Sequence, residues 1–208
     1  MRKTLLAISV ALLTVSAAQA QTHWGIKSGL NLGKFTVLED AKFHTSFHVT
    51  GFADIALSEQ FSFQPGLSLQ GKGTRYKKII GKKQNYYQLS RHVLSIELPV
   101  NMIYYISAGS GKVYVGGGPY VGMNVGGRKK LIEKMGNVTI ETKESLTFTG
   151  DDRDLNLFDA GANFVLGYKL ANGIMINSGY NLGLVNLVPN ADKTISNRVL
   201  SFGIGFQF

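Results

Sequence analysis

The last ten residues alternate strictly between apolar side chains and small or polar ones. Every second residue from Leu200 to Phe208 is Leu, Phe or Ile, and the residues between them are Ser, Gly or Gln. Successive side chains of a β-strand point to opposite faces, so this segment has one apolar face and one small, polar face. A strand of this kind suits a barrel that stands in lipid with its apolar side chains outside.

The same alternation recurs seven more times along the chain, and the segments between the strands alternate in length. Three connections are short, at 58–60, 107–111 and 171–173, and the other four are long. We therefore predict an all-β fold: an eight-stranded antiparallel up-and-down transmembrane β-barrel with short periplasmic turns and long extracellular loops. The predicted strands are 22–35, 44–57, 61–70, 93–106, 112–126, 157–170, 174–184 and 199–208.

A soluble barrel of the lipocalin type is the alternative fold. Its apolar residues would line an internal pocket, and its exterior would be charged. The apolar stripes of this chain hold hardly any charge, whereas the opposite faces are rich in Gly and polar residues. This distribution favours the membrane barrel, with the polar faces inside.

The first 20 residues have the features of a secretory signal peptide. Arg2 and Lys3 precede an apolar run, and an A-x-A cleavage motif ends at Ala20. We expect residues 1–20 to be removed and residues 21–208 to form the barrel domain. The apolar run is too short for a transmembrane helix, and the absence of Cys excludes disulfides, thiolate metal sites and a lipid-modified cysteine. These features predict export and, with the strand pattern, a place in the outer membrane.

Five blocks stand out in order along the chain: 25–32, 61–67, 96–99, 116–122 and the final aromatic strand. By their order and spacing they resemble the PorT-like outer-membrane β-barrel family of Bacteroidetes, and the resemblance covers nearly the whole chain after the predicted signal peptide. It implies an eight-stranded outer-membrane barrel. The founding member of the family takes part in protein export to the cell surface, and no residue role is transferred from it. Phe206 and Phe208 at the end of the last strand look like the insertion signal that the barrel-insertion machinery reads.

The positive charge is concentrated in the segment 72–91. Without Arg2 and Lys3 the chain has 20 Lys and Arg against 13 Asp and Glu, a net charge of +7, and this segment holds seven cations and no acid. If it is an extracellular loop, it could contact anionic partners such as lipopolysaccharide phosphates or acidic glycans. The alternative is a solvated loop that neutralises the surrounding lipid. The seven residues are Lys72, Arg75, Lys77, Lys78, Lys82, Lys83 and Arg91.

Four charged residues fall on the predicted inner faces of the strands, with Arg198 near the rim: Lys27, Asp54, Glu97 and Asp159. Charges inside a narrow barrel must be paired or hydrated, and eight strands enclose only enough room for their own side chains. We therefore expect a polar plug rather than a conducting path. The sequence does not determine which of these residues form pairs.

The chain shows no pattern that predicts catalysis or a bound cofactor. His44 and His48 would be roughly 13 Å apart along a strand, too far to share a metal ion, so we expect no metal site. There is no G-x-S-x-G motif, which argues against the alternative of a lipid-modifying hydrolase.

These observations predict an integral outer-membrane protein with a structural or surface-recognition role that is not an enzyme. A small passive pore and an accessory of protein secretion to the cell surface remain the alternatives. The expected partners are outer-membrane lipid and lipopolysaccharide, the barrel-insertion machinery, and surface or secretion proteins. We expect no nucleic-acid partner, because nucleic acid binding is remote for an exported barrel.

Overall fold

The computed structural model describes residues 22–36, 41–81, 85–189 and 194–208. The predicted signal peptide, Lys82 and Lys83 lie outside these residues. No helix in the described part of the chain is long and apolar enough to cross a membrane. The described residues form ten strands: β1 (Thr22–Phe35), β2 (Ala41–Lys42), β3 (His44–Ala56), β4 (Phe61–Ile79), β5 (Tyr86–Ala108), β6 (Gly111–Met135), β7 (Val138–Ser145), β8 (Phe158–Lys169), β9 (Ile174–Gly183) and β10 (Asn197–Gln207).

Eight of these strands close into an antiparallel ring. Around the ring the order is β1, β3, β4, β5, β6, β8, β9 and β10, and β10 pairs with β1 from Gly25↔Gln207 to Phe35↔Asn197. The all-β, up-and-down barrel is thereby confirmed. The total strand number differs from eight because two short strands lie outside the ring. β2 pairs with Arg75 and Tyr76 of β4, and β7 pairs with residues 128–135 of β6.

The apolar face of each barrel strand points outward and the polar face points into the lumen. Trp24, Ile26 and Leu30 are 49–61% exposed, whereas Lys27 and Asn31 on the other face of β1 are buried. The same division holds on β5, where Leu98 is exposed and Glu97 is buried. Because the outward side chains are mainly apolar, the outside of this barrel is suited to contact with lipid rather than with water.

Short turns join the strands at one rim, and longer connections join them at the other. The turn between β5 and β6 contains Gly109 at φ 60°, and the turn between β8 and β9 contains Gly173 at φ 89°. Both angles lie in the left-handed region that favours glycine. We call this end the short-turn rim and the opposite end the long-loop rim.

The prediction that 72–91 forms a loop is wrong. β4 continues to Ile79 and β5 begins at Tyr86, and the two strands stay paired up to Ile79↔Tyr86. On the other side β6 continues to Met135, and β7 pairs with it from Arg128↔Ser145 to Met135↔Val138. The polar composition of these segments reflects strands that extend beyond the apolar part of the barrel. We call the extensions of β4, β5 and β6, together with β7, the projecting sheet.

A β-bulge marks the base of the projecting sheet. Leu94 pairs with Gly126 and Ser95 pairs with Asn124, so β6 contains one extra residue, Val125. A bulge of this kind increases the local twist of a sheet. Beyond it, the even-numbered residues of β6 point outward, in line with the outward-facing residues of β4 and β5.

Candidate functional site

A charged cluster crosses the lumen near the long-loop rim. The Lys72 ammonium contacts the Glu97 carboxylate and lies 2.5 Å from Oδ2 of Asp159. Tyr120 donates a hydrogen bond of 3.3 Å to the same Asp159 oxygen, and Asn197 donates another. These five residues come from five strands, so the cluster, called here the Lys72 cluster, ties opposite walls of the barrel together.

The buried position of Lys72 corrects its predicted place on an exposed loop, since only 2% of this residue is exposed. Gln70, Lys72 and Thr74 continue the inward face of β4, and this alternation outweighs the basic composition of the segment. A single cation between two buried carboxylates leaves an excess negative charge. The nearby amide donor of Asn181, 3.3 Å from Oε2 of Glu97, offsets part of this charge.

A second polar cluster lies near the short-turn rim around Asp54. Its carboxylate accepts hydrogen bonds from Ser62, from Tyr105 at 2.9 Å and from Gln207 at 2.8 Å. Gln207 also accepts a bond from Lys169 at 2.8 Å. Buried carboxylates need such donors because burial removes their water.

The predicted interior residue Lys27 lies between the two clusters. Its ammonium donates to Gln64 at 2.8 Å and lies 4.3 Å from the centre of the Phe52 ring. Lys27 makes no direct ion pair with Asp54, although both residues line the half of the lumen near the short-turn rim. The structure thus places all four predicted interior residues inside, but it pairs only Glu97 and Asp159 with a cation.

Little free space remains in the lumen between the two clusters. A cavity of about 80 Å³ is lined by polar side chains, including Asn101, Asn163 and Asn177. Beside it, His48 and Asn31 share a hydrogen bond of 2.8 Å. A cavity of this size and polarity suits a few water molecules.

Apolar side chains cover the Lys72 cluster at the long-loop rim. Phe35 and Val93 from the barrel wall pack with Leu146, Leu155 and Leu187 from the connections, and all five are at most 6% exposed. The lumen is therefore closed by a charged layer and by an apolar layer above it.

Sequence reasoning missed several residues that complete these layers. Tyr120, Tyr105 and Gln207 each donate a hydrogen bond to a buried carboxylate. Each lies at an inward position of its strand, so the alternation of side chains predicts that it faces the lumen. The alternation gives no information on the distance from this residue to a carboxylate on another strand.

The projecting sheet has two chemically different faces, and the predicted basic residues divide between them. Strand register places Arg75 and Lys77 on the outward face, the same face as the lipid-facing residues below. Lys78 and Arg91 lie on the opposite face, which continues the lumen-facing side of β4 and β5. The described basic residues of 72–91 are therefore divided between two faces of a sheet instead of sharing one loop.

The lumen-side face of the projecting sheet contains a concavity of about 290 Å³. Tyr87, Leu89 and Leu131 supply apolar surface, and Arg91 and Lys129 supply charge. Lys129 pairs with Glu144 at 2.9 Å, whereas Nε of Arg91 is buried without a hydrogen-bond partner in the described structure. Tyr87 and Arg91 therefore line one concavity, four residues apart on the same face of β5.

The two candidate metal ligands lie in different places. His48 is buried in the lumen beside Asn31, whereas Nε2 of His44 lies 3.2 Å from Nδ1 of His92 on β5. Within the described ranges no group of three His, Cys, Asp or Glu side chains is arranged to hold a metal ion.

Phe206 and Phe208 point outward near the short-turn rim, 42% and 68% exposed. The amide of Phe208 donates to the carbonyl of Trp24 at 2.9 Å, which attaches the end of the chain to β1. Whether these rings act as an insertion signal remains a prediction.

Asp154 should make the connection between β7 and β8 sensitive to acid. Its carboxylate accepts bonds of 3.0 and 3.1 Å from the amide and hydroxyl of Thr147 and lies 3.4 Å from Lys129. The bond from the Thr147 amide is the main reason that the pKa of Asp154 is below its usual value. Since the folded form has the lower pKa, the stabilisation is complete above about pH 4 and is lost as the pH falls further through the folded pKa.

Hydrogen exchange at the Thr147 amide tests this prediction. We expect protection at pH 6 that declines below about pH 4 after correction for the intrinsic exchange rate. Asp154→Ala removes the acceptor and should give weak protection at both pH values, while Asp152→Ala serves as the control. Equal protection in Asp154→Ala and the unmodified protein at pH 6 would contradict the assigned role.

Comparison with known proteins gives one family match. The family model described as outer membrane protein beta-barrel domain matches residues 17–188, which is most of the chain. No curated protein matches it.

Several solved structures resemble the chain at low sequence identity. The attachment invasion locus protein Ail of Yersinia pestis is 11% identical, with a TM-score of 0.43 and coverage of 90% of this chain and 99% of Ail. Neisserial surface protein A is 14% identical, with a TM-score of 0.43 and coverage of 89% and 97%. The N-terminal β-barrel domain of OprF from Pseudomonas aeruginosa is 12% identical, with a TM-score of 0.36 and coverage of 90% and 100%.

Proposed function

The chain belongs to the family of outer membrane protein beta-barrel domains, and from this premise we propose that it is a closed barrel that presents a recognition surface rather than a channel. Its location is the outer membrane. The proposal assigns a structural role to the barrel and a contact role to the projecting sheet, which we place on the cell-surface side.

The observation that carries the proposal is the double closure of the lumen. The Lys72 cluster joins five strands across the barrel, and the apolar layer around Phe35 and Leu155 lies above it. An ion would have to displace a buried ion pair and then cross an apolar layer, and both steps are unfavourable.

Single-channel recording tests this closure against the alternative of a small passive pore. We expect no steady openings after reconstitution of the protein at neutral pH. The variant Lys72→Ala with Phe35→Ala removes material from both layers, and we expect it to give brief openings. Reproducible openings of the unmodified protein would favour the passive pore.

We further propose that the lumen-side concavity of the projecting sheet binds an anionic group of a surface partner. Arg91 supplies the donor and Tyr87 supplies a ring against which a sugar or an aromatic group can pack. Dextran sulfate is a suitable soluble probe. We expect Arg91→Gln to weaken its binding and to reduce the salt dependence, whereas Asn137→Gln, at the tip between β6 and β7, should leave both unchanged. Equal binding by the two variants would contradict this role of Arg91.

The finer family assignment to PorT-like barrels of Bacteroidetes is also a proposal, supported by the order of the five sequence blocks. It includes a second candidate function, as an accessory of protein secretion to the cell surface, with surface or secretion proteins as partners. Deletion of the gene followed by a census of exported proteins tests this candidate, and unchanged export would remove it.

We propose that the protein is not an enzyme. The buried carboxylates Asp54, Glu97 and Asp159 already accept structural hydrogen bonds or ion pairs, which supports a role in barrel stability. Expression of the gene should leave the mass of lipid A unchanged, and a new lipid A species would contradict the proposal.

We also expect the barrel-insertion machinery to require Phe206 and Phe208.

A further inference from the structure

The outward face of the barrel carries aromatic residues at the short-turn rim. Trp24 is 61% exposed, and the rings of Phe61 and Tyr104 pack at a centroid distance of 4.7 Å. Phe206 and Phe208 lie on the same face. Aromatic girdles of this kind mark one boundary of the lipid-facing band in membrane barrels.

Cations mark the other boundary, at the long-loop rim. Lys34 lies two residues after the outward residue Leu32 on β1. Register pairs Lys34 with Arg198, Lys42 with Arg75, and His92 with Arg128, so these residues share the outward face. Arg198, which the sequence placed near the rim of the interior, is half-exposed and uses Nη1 within the protein, where it donates to the carbonyls of Gly183 and Asn197 and to the hydroxyl of Ser196. We define the cationic belt as Lys34, Lys42, Arg75 and Arg128.

The height of the belt coincides with the expected edge of the hydrocarbon layer. On β5 the outward side chains are apolar or aromatic from Ile106 to Leu94, a rise of about 40 Å along the strand, or about 30 Å along the barrel axis at ordinary tilt. His92, at the level of the belt, is the next outward residue. A hydrocarbon core is about 30 Å thick, so the belt lies at the depth of the lipid headgroups.

The protein itself does not neutralise the belt in the part that the structure describes. Register places one carboxylate of the described strands on the outward face of the projecting sheet, Glu141, and it pairs with Lys130 and Lys143 at 2.9 Å each. No carboxylate of the described residues forms an ion pair with Lys34, Arg75 or Arg128, and all three side chains are exposed.

From this arrangement we infer that the cationic belt binds phosphate groups of the lipids that surround the long-loop rim. The guanidinium groups of Arg75 and Arg128 present paired donors that match phosphate oxygens. The inference rests on the proposed barrel in the outer membrane and adds a defined lipid-contact surface to it. This surface is separate from the concavity around Arg91, which lies on the opposite face of the projecting sheet.

Lipid selectivity measured with spin-labelled lipids tests the belt directly. The protein is reconstituted in phosphatidylcholine vesicles, and its association with labelled phosphatidic acid is compared with that of labelled phosphatidylcholine. We expect the unmodified protein to prefer phosphatidic acid. In Arg75→Gln with Arg128→Gln the preference should fall by about threefold or more, because each cation near a membrane surface adds to anionic-lipid attraction.

A matched control separates a defined surface from overall charge. Lys78→Gln with Arg91→Gln removes the same two charges from the opposite face of the same strands, and it should keep the preference for phosphatidic acid. If both double variants lost the preference for phosphatidic acid equally, the effect would come from net charge alone and the inference would be wrong. The inference would also be wrong if neither double variant lost the preference. A weak preference in the unmodified protein would have the same consequence.

The result is independent of the recognition role proposed above. Loss of dextran sulfate binding in Lys78→Gln with Arg91→Gln, but not in Arg75→Gln with Arg128→Gln, would support recognition at the concavity whatever the lipid result. If the belt variant alone lost dextran sulfate binding while lipid selectivity stayed unchanged, the belt would be a site for soluble polymers and the inference would be wrong.

Discussion

Lys72→Met should reduce the free energy of unfolding by about 3–5 kcal/mol, the range for removing one partner of a buried ion pair. Lys72 is 2% exposed and contacts both Glu97 and Asp159. Met keeps most of the side-chain volume but leaves two buried carboxylates without a cation. Urea titration of the refolded protein in lipid vesicles measures the loss by linear extrapolation, with the fluorescence of Trp24 as the signal.

Two further variants show whether the loss comes from the buried charges. Lys78→Met removes a cation from the exposed part of β4 and should change the free energy by less than about 0.5 kcal/mol. Adding Glu97→Gln and Asp159→Asn to Lys72→Met should restore part of the stability, because both stranded charges disappear. A loss in Lys72→Met no larger than that in Lys78→Met would mean that the Lys72 cluster is hydrated and does not hold the barrel closed.

Gly118→Ala should destabilise the barrel by about 1–3 kcal/mol, the range for overpacking at a site without space. A Cβ at this position would lie 1.9 Å from the carbonyl oxygen of Val100. That oxygen belongs to the neighbouring strand β5, so the clash can be relieved only if β5 and β6 move apart. The same urea titration measures the effect, and the fraction of protein that refolds gives a second readout.

Gly126→Ala is the matched control in the same strand. A Cβ there meets no atom within 4 Å, so its effect should be close to zero or slightly stabilising, because alanine restricts the unfolded chain more than glycine does. If the two alanine variants had equal stability, the close approach of β5 and β6 at Gly118 would not limit the packing of the barrel.

The strands of the lipid-facing band could be predicted closely from alternation alone. β1 spans Thr22–Phe35 in both the prediction and the structure, because its apolar residues from Trp24 to Leu32 face lipid and the residues between them face the lumen. Phe35 at the end of the strand is the exception, since it is buried on the lumen side. In a transmembrane barrel one face of every strand contacts lipid, so the alternation of apolar and polar residues is stronger than in a sheet of a soluble protein. Asn172 and Gly173 likewise identified the turn between β8 and β9.

The sequence was least informative where the strands leave the band. Beyond Leu94 the outward face is no longer apolar, and the high charge of 72–91 suggested a loop. The backbone pairing continues there because strand hydrogen bonds do not require apolar side chains. The inward position of Lys72 was available in the sequence, since it keeps the alternation of Gln70 and Thr74, but the charge count obscured it.

The pairings inside the lumen could not be predicted from one sequence. Lys72 and Asp159 are 87 residues apart, and their contact depends on strand order, register and the width of the barrel together. The cationic belt was missed for the same reason. Lys34, Arg75 and Arg128 are distant in the sequence and come to one height only when the barrel closes.

The central claim is that the apolar faces of the strands contact lipid and the polar faces fill the lumen, and the fluorescence of Trp24 tests it most directly. Trp24 is the single tryptophan of the chain and lies on the outward face. In vesicles we expect brominated phosphatidylcholine to quench its emission strongly and aqueous iodide to quench it weakly. Strong quenching by iodide with none by the brominated lipid would mean that the apolar faces do not contact lipid, and would contradict the account.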